Sequence, residues 1–95
     1  MKRPSTPAPR KVRIINPLGV HARSSARIVE LASRFRSRVS LAVNGRSADA
    51  RSIVAVMLLA GSVGSTVIVE AEGPDEIAAA TAIVALFETG FGEKI

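Results

Sequence analysis

Ninety-five residues, 47% of them hydrophobic, are enough for one core and too few for two. With aromatics at 3%, no Trp or Tyr, no cysteine and a single histidine, the core must be aliphatic; disulfides, thiolate metal sites and multi-histidine metal sites are excluded, and no metal or cofactor is expected. The net charge of +5 is segregated, basic through residue 51 and acidic from residue 52 to 95, which fits an acidic protein partner; nucleic acid is disfavoured by the missing base-stacking aromatics.

Residues 1–10 hold Pro4, Pro7 and Pro9 among Ser, Thr and basic side chains, and are expected to form a flexible basic tail before a single domain over 11–95. Val12 and Ile14 alternate with Arg13, so a strand is expected over 11–16, broken by Pro17-Leu18-Gly19. Ser25, Ile28, Val29, Ala32 and Phe35 recur at helical spacing and predict a helix over about 22–37. Val39, Leu41 and Val43 alternate in a second strand; Asn44-Gly45 is a strong hairpin signal, and a third strand over 46–50 pairs back.

Ser52 precedes the apolar run 53–60 and reads as the N-cap of a short helix ended by Gly61 and Gly64. Residues 66–72 alternate as a fourth strand. Gly73-Pro74-Asp75-Glu76 then opens a last helix, with two carboxylates near the positive end of its dipole and a buried stripe of Ile77, Ala80, Ile83, Val84 and Phe87. The order βαββαβα predicts an α+β fold. It would be a two-layer open-faced sandwich, a four-stranded, mainly antiparallel sheet with three helices on one face. No apolar run reaches the length of a membrane span, and the N-terminus lacks the pattern of a secretory signal, so no membrane insertion and a cytoplasmic location are expected.

His21 falls where the first turn meets the start of the first helix, and Arg23 follows two residues later. Free N–H groups and the helix dipole favour an anion there, and a guanidinium can pair with phosphate oxygens. Taken alone, such a residue is more often a plain surface histidine. The wider pattern changes the balance. Asn16-Pro17-Leu18-Gly19-Val20-His21-Ala22-Arg23 resembles the active-site signature of HPr, the histidine-containing phosphocarrier family of the phosphoenolpyruvate-dependent phosphotransferase system. A second block, Ala50-Arg51-Ser52-Ile53-Val54-Ala55-Val56-Met57, resembles the family's regulatory-serine segment at the family's spacing, and the likeness runs through Glu70-Ala71-Glu72-Gly73 to Phe91-Gly92-Glu93.

The resemblance implies that His21 accepts a phosphoryl group from phospho-enzyme I on Nδ1 and passes it to enzyme IIA-type proteins, with Arg23 assisting at the phosphoryl group. It further implies that Ser52 is the target of an HPr kinase/phosphorylase where one exists. It also implies that Ala22, Ile53, Val54 and Met57, rimmed by Arg27 and Arg51, dock on enzyme I. The carrier is expected to be a monomer and not a turnover enzyme. A regulatory carrier of the nitrogen-related branch is the nearest alternative; a non-catalytic βαββαβ module that senses a small molecule or binds RNA is the distant one. One departure stands out: the family commonly has Pro after the active-site Arg, where this chain has Ser24, so a somewhat looser helix start is expected.

Overall fold

Alternation with a period of two is what the sheet is built from, and the observed register aligns it across all four strands. A computed structural model describes residues 8–93. Its elements are β1 (Arg10–Arg13), α1 (Ala22–Ala32), β2 (Arg38–Val43), β3 (Arg46–Asp49), α2 (Ile53–Leu58), β4 (Thr66–Glu72), α3 (Glu76–Glu88) and a short 3-10 turn at Gly90–Gly92. The sheet runs β1-β4-β2-β3 with every pair antiparallel. Val12 lies opposite Val67, Leu41 opposite both Val69 and Ala48, and Val39 opposite Ala71. These side chains share one face, and the helices cover it with Ile28 and Ala32 of α1, Val56 of α2, and Ala79, Ala80, Ile83, Val84 and Phe87 of α3. Burial of each large aliphatic side chain is worth about 1.5–3 kcal/mol, which lets a core with almost no aromatics suffice. Asn44 and Gly45 close the β2–β3 hairpin with φ of 50° and 81°, as a two-residue turn of matching twist requires.

The fold class and element order agree with the sequence reading; several boundaries differ. β1 begins at Arg10, inside the segment assigned to the tail, whose first seven residues lie outside the described ones. It ends at Arg13, although Ile14 remains bonded to the loop before β4, its N–H to Ser65 C=O at 2.9 Å and its C=O to Gly64 N–H at 2.8 Å. The third strand stops one residue short of the predicted 50. The expected stripe on α3 is also corrected at its start. Ile77 is 70% exposed while Ala79 is fully buried, because the first turn of α3 overhangs the sheet edge, where Ile77 lies beside Ala8 and Arg10.

α1 stops at Ala32, five residues before the predicted end. Ser33 bends back, its hydroxyl and its N–H both bonded to the Val29 carbonyl at 2.7 and 2.9 Å. Beyond it the Asp75 carboxylate, 38 residues away in sequence, captures the Ser37 N–H at 2.9 Å, the Ser37 hydroxyl at 2.6 Å and the Arg36 N–H at 3.0 Å. Asp75 occupies the N-cap position of α3 but its side chain does not cap that helix; Glu76 instead accepts from the Gly73 N–H at 3.0 Å. Asp75 therefore ties the α1–β2 loop to the β4–α3 loop. Those bonds, the Ser37 hydroxyl foremost and the Arg36 N–H next, hold its carboxyl below the ordinary aspartate value.

A carboxyl lowered in the folded state stabilises the fold above its ordinary value, and that contribution is lost as pH falls through the lowered value. Asp75→Asn is expected to lower the urea midpoint at neutral pH, with the gap to the native chain closing on acidification. Midpoints measured along a pH series check this; two acid limbs that stay parallel would contradict it.

Candidate functional site

The site begins with a turn that one buried side chain closes. Asn16 is fully buried; its Nδ2 donates to the Gly19 carbonyl at 2.7 Å and its own carbonyl receives the Gly19 N–H at 3.0 Å, folding Pro17 and Leu18 outward. The turn is then pressed against the segment after α2: the Val20 N–H donates to Gly61 C=O at 2.8 Å. Gly19 has φ +64°, and a Cβ there would lie 2.4 Å from the Gly61 oxygen, so only glycine permits this approach.

His21 follows as the N-cap of α1, in extended conformation (φ −134°, ψ −172°). Its N–H donates to Ser24 Oγ at 2.9 Å, and its carbonyl receives the first helical bond from the Ser25 N–H at 2.8 Å. The imidazole turns towards the Ser24 N–H without closing a full hydrogen bond. The Ser24 hydroxyl lies 3.2 Å from the carbonyls of both Gly19 and His21 and can donate to either. Ser24 is fully buried. The looser helix start expected from the missing proline is not found: the serine replaces ring rigidity with hydrogen bonds that fix the turn to the first helical residues. The N–H groups of Ala22 and Arg23 precede the first helical bond and are left to face an anion, while that of Ser24 faces the imidazole.

The opposite wall comes from the other end of the domain. After α3 the chain turns through Thr89 and Gly90; Phe91 adopts φ +59° and packs edge-on against Phe87, ring centroids 5.0 Å apart. This brings Glu93 to His21. Glu93 Oε2 accepts from His21 Nε2 at 2.9 Å and from Asn16 Nδ2 at 2.9 Å, with the two paired side chains 29% and 15% exposed. The hydrogen bond from His21, aided by that from Asn16, holds the Glu93 carboxyl below the ordinary glutamate value, so it is an anion at neutral pH.

The residues singled out in sequence divide into two groups. His21, Ala22 and Arg23 sit together at the start of α1, the latter two exposed. On α2, Ile53, Val54 and Met57 are exposed, joined by Leu58, and Ser52 is the N-cap, its hydroxyl accepting from the Ala55 N–H at 3.3 Å. The two arginines of the expected rim are both engaged. Arg51 Nη2 donates to the Phe35 carbonyl, and Arg27 Nη1 to the Phe91 carbonyl at 2.8 Å. Asn16 opens the signature, Ser24 follows it and Glu93 ends the stretch of likeness, but the sequence assigns none of the three a role in the site. Glu93 stands 72 positions from His21, and no spacing rule connects them. Among the described residues no helix is long and apolar enough to cross a membrane.

Residues 8–89 match the family model for the HPr component phosphorylation site of the PTS. The chain is 51% identical over 84 residues to the phosphocarrier protein HPr of Cupriavidus necator, covering 88% of this chain and 94% of that protein. It is 44% identical over 85 residues to the phosphocarrier protein NPr of Proteus mirabilis, again covering 88% and 94%. Among solved structures, HPr-C-His from Thermoanaerobacter tengcongensis superposes with a TM-score of 0.87 at 37% identity, covering 94% of this chain and 100% of that one.

Ser24→Ala would strand the His21 N–H and remove the tie to Gly19. A loss of about 1–2 kcal/mol in unfolding free energy is expected, the usual cost of an N-terminal capping bond or of a buried donor left unpaired. Urea denaturation measures it. A change below about 0.5 kcal/mol, the level of an ordinary surface substitution, would contradict the role assigned to the hydroxyl.

Proposed function

The chain belongs to the HPr family of phosphocarrier proteins, and on that premise we propose that His21 Nδ1 is the atom that carries the phosphoryl group. The single observation behind this is the 2.9 Å contact between His21 Nε2 and Glu93. A carboxylate accepts only from an N–H, so Nε2 keeps the ring proton and the lone pair is on Nδ1.

In the proposed step the Nδ1 lone pair attacks phosphorus; the P–Nδ1 bond forms as the bond to the donor atom breaks, and the donor atom leaves with that bonding pair. Positive charge grows on the imidazole as this happens, and Glu93, already ionised and bonded to Nε2, sits where it is needed. The incoming oxygens face the N–H groups of Ala22 and Arg23 at the positive end of α1. Arg23, exposed at the second helical position, reaches the same oxygens with its planar guanidinium. Arrangement and helix dipole act on the group in both directions, as a carrier requires.

The donor in this reading is phospho-enzyme I and the recipients are enzyme IIA-type proteins, in the cytoplasm. The exposed apolar face of α2, Ile53, Val54 and Met57, with Ala22 beside His21, is the docking surface. Arg51, basic and exposed next to Ser52, borders it. A phosphoryl group on Ser52, from an HPr kinase/phosphorylase, would put roughly −1.5 to −2 charges beside that face and oppose an acidic partner. The higher identity to the Cupriavidus HPr favours the general carrier over the nitrogen-branch paralogue, and the basic residues that precede β1 are not needed for transfer.

Incubation with phosphoenolpyruvate and purified enzyme I, followed by intact mass measurement, is expected to show one added phosphoryl group, labile in acid and stable in base. His21→Ala is expected to abolish it while leaving the unfolding curve cooperative. Labelling that persists in the alanine variant would overturn the assignment.

A further inference from the structure

Arg27 takes no part in the chemistry just described, yet its guanidinium is committed to one place. It lies nearly two turns into α1, and Nη1 donates to the Phe91 carbonyl at 2.8 Å, across the gap to the segment that follows α3. The contact is steric as well as polar: a Cβ at Gly92 would lie 3.3 Å from the same nitrogen. On the inner side Phe91 is anchored by its ring, 3% exposed and edge-on to Phe87. The carbonyl of Phe91 is thus held from outside by a cation while its side chain is held from inside by the core. Two residues further on, Glu93 meets His21 and Asn16.

We propose that Arg27 is a positioning residue for His21. By clamping the Phe91 carbonyl it holds residues 90–93 as a strap that keeps the Glu93 carboxylate on Nε2. Arg27 touches neither the imidazole nor the phosphoryl group; its effect passes through the strap. A charged donor on a carbonyl makes a stronger bond than a neutral one, and the planar guanidinium can lie against Gly92 while it donates to Phe91. The strap needs such a tie because Gly90 and Gly92 on either side of Phe91 leave the backbone free to adopt other paths. For its kinetic consequence the inference rests on His21 being the phosphoryl acceptor; for the strap itself it does not.

The test follows Glu93 and His21 separately. Carbon-detected NMR titration of the Glu93 carboxyl is run on the full chain, on Arg27→Gln and on Arg27→Lys, and transfer from phospho-enzyme I is measured on the same proteins and on Glu93→Gln with and without Arg27→Gln. The Glu93 midpoint is expected to move up towards the ordinary glutamate value in Arg27→Gln and to return part of the way in Arg27→Lys. Transfer at saturating enzyme I is expected to slow roughly tenfold in Arg27→Gln, the scale of losing one bond that orients a reacting group, with KM little changed. Because both residues act through one contact, the double variant is expected to be no slower than Glu93→Gln alone, within about twofold. An unmoved Glu93 midpoint would overturn the proposal. So would a loss confined to KM and erased by salt, the mark of a docking rim, or losses that multiply in the double variant. If the native chain takes no phosphoryl group at all, the reading of His21 fails, and the Glu93 titration still decides whether Arg27 holds the strap.

Discussion

An imidazole offers two nitrogens, and the 2.9 Å contact from His21 Nε2 to Glu93 commits one of them. The commitment is stronger than a single bond suggests, because Glu93 is also held by Asn16, and Asn16 closes the turn on which His21 rides. Turn, imidazole and carboxylate form one closed set of hydrogen bonds. Moving any member disturbs the other two, so the ring cannot rotate freely and its open nitrogen faces the start of α1. For a carrier that must meet several partners, a fixed phosphoryl position means each partner pays less to find it.

The fold exists to bring these distant segments together. Asn16 and His21 follow β1; Glu93 follows α3 and the 3-10 turn; Gly61, against which the turn is pressed, follows α2. All three segments converge because the strand order β1-β4-β2-β3 places β1 beside β4 and lets α3 pack back over both. The aliphatic core fixes these distances, and its two aromatics, Phe87 and Phe91, carry the last link from α3 to Glu93. The apolar α2 surface belongs to the same assembly. The chain that leaves α2 is the one whose Gly61 carbonyl binds Val20, so docking face and phosphoryl site share a mechanical support.

Much of this was legible in the sequence, and what was not has a physical reason. Period-two alternation, Asn44-Gly45, the Ser52 cap and the signature around His21 are local signals, and each led to the right element or motif. The apolar spacing that predicts α1 runs on to Phe35, whereas the helix is stopped by Ser33, and further along the loop the Asp75 carboxylate takes the N–H groups of Arg36 and Ser37. Ile77 was misassigned because periodicity reports a face and not where a sheet ends beneath it. Asn16 lies in the signature with His21, but nothing local shows that its side chain reaches Glu93, and Glu93 carries no pattern that ties it to a histidine; the folded chain supplies both links. Ser24 was read by what it lacks relative to proline, and its value lies in a hydroxyl whose partners, Gly19 and His21, are set by the turn before it.

The most direct measurement of the central claim is the one-bond phosphorus–nitrogen coupling in the phosphorylated protein carrying nitrogen-15 histidine. If Glu93 holds the Nε2 proton, phosphorus couples to Nδ1 and the proton remains on Nε2. Coupling to Nε2 would mean that the carboxylate is displaced during transfer, and that the contact seen between His21 and Glu93 does not decide where the phosphoryl group goes.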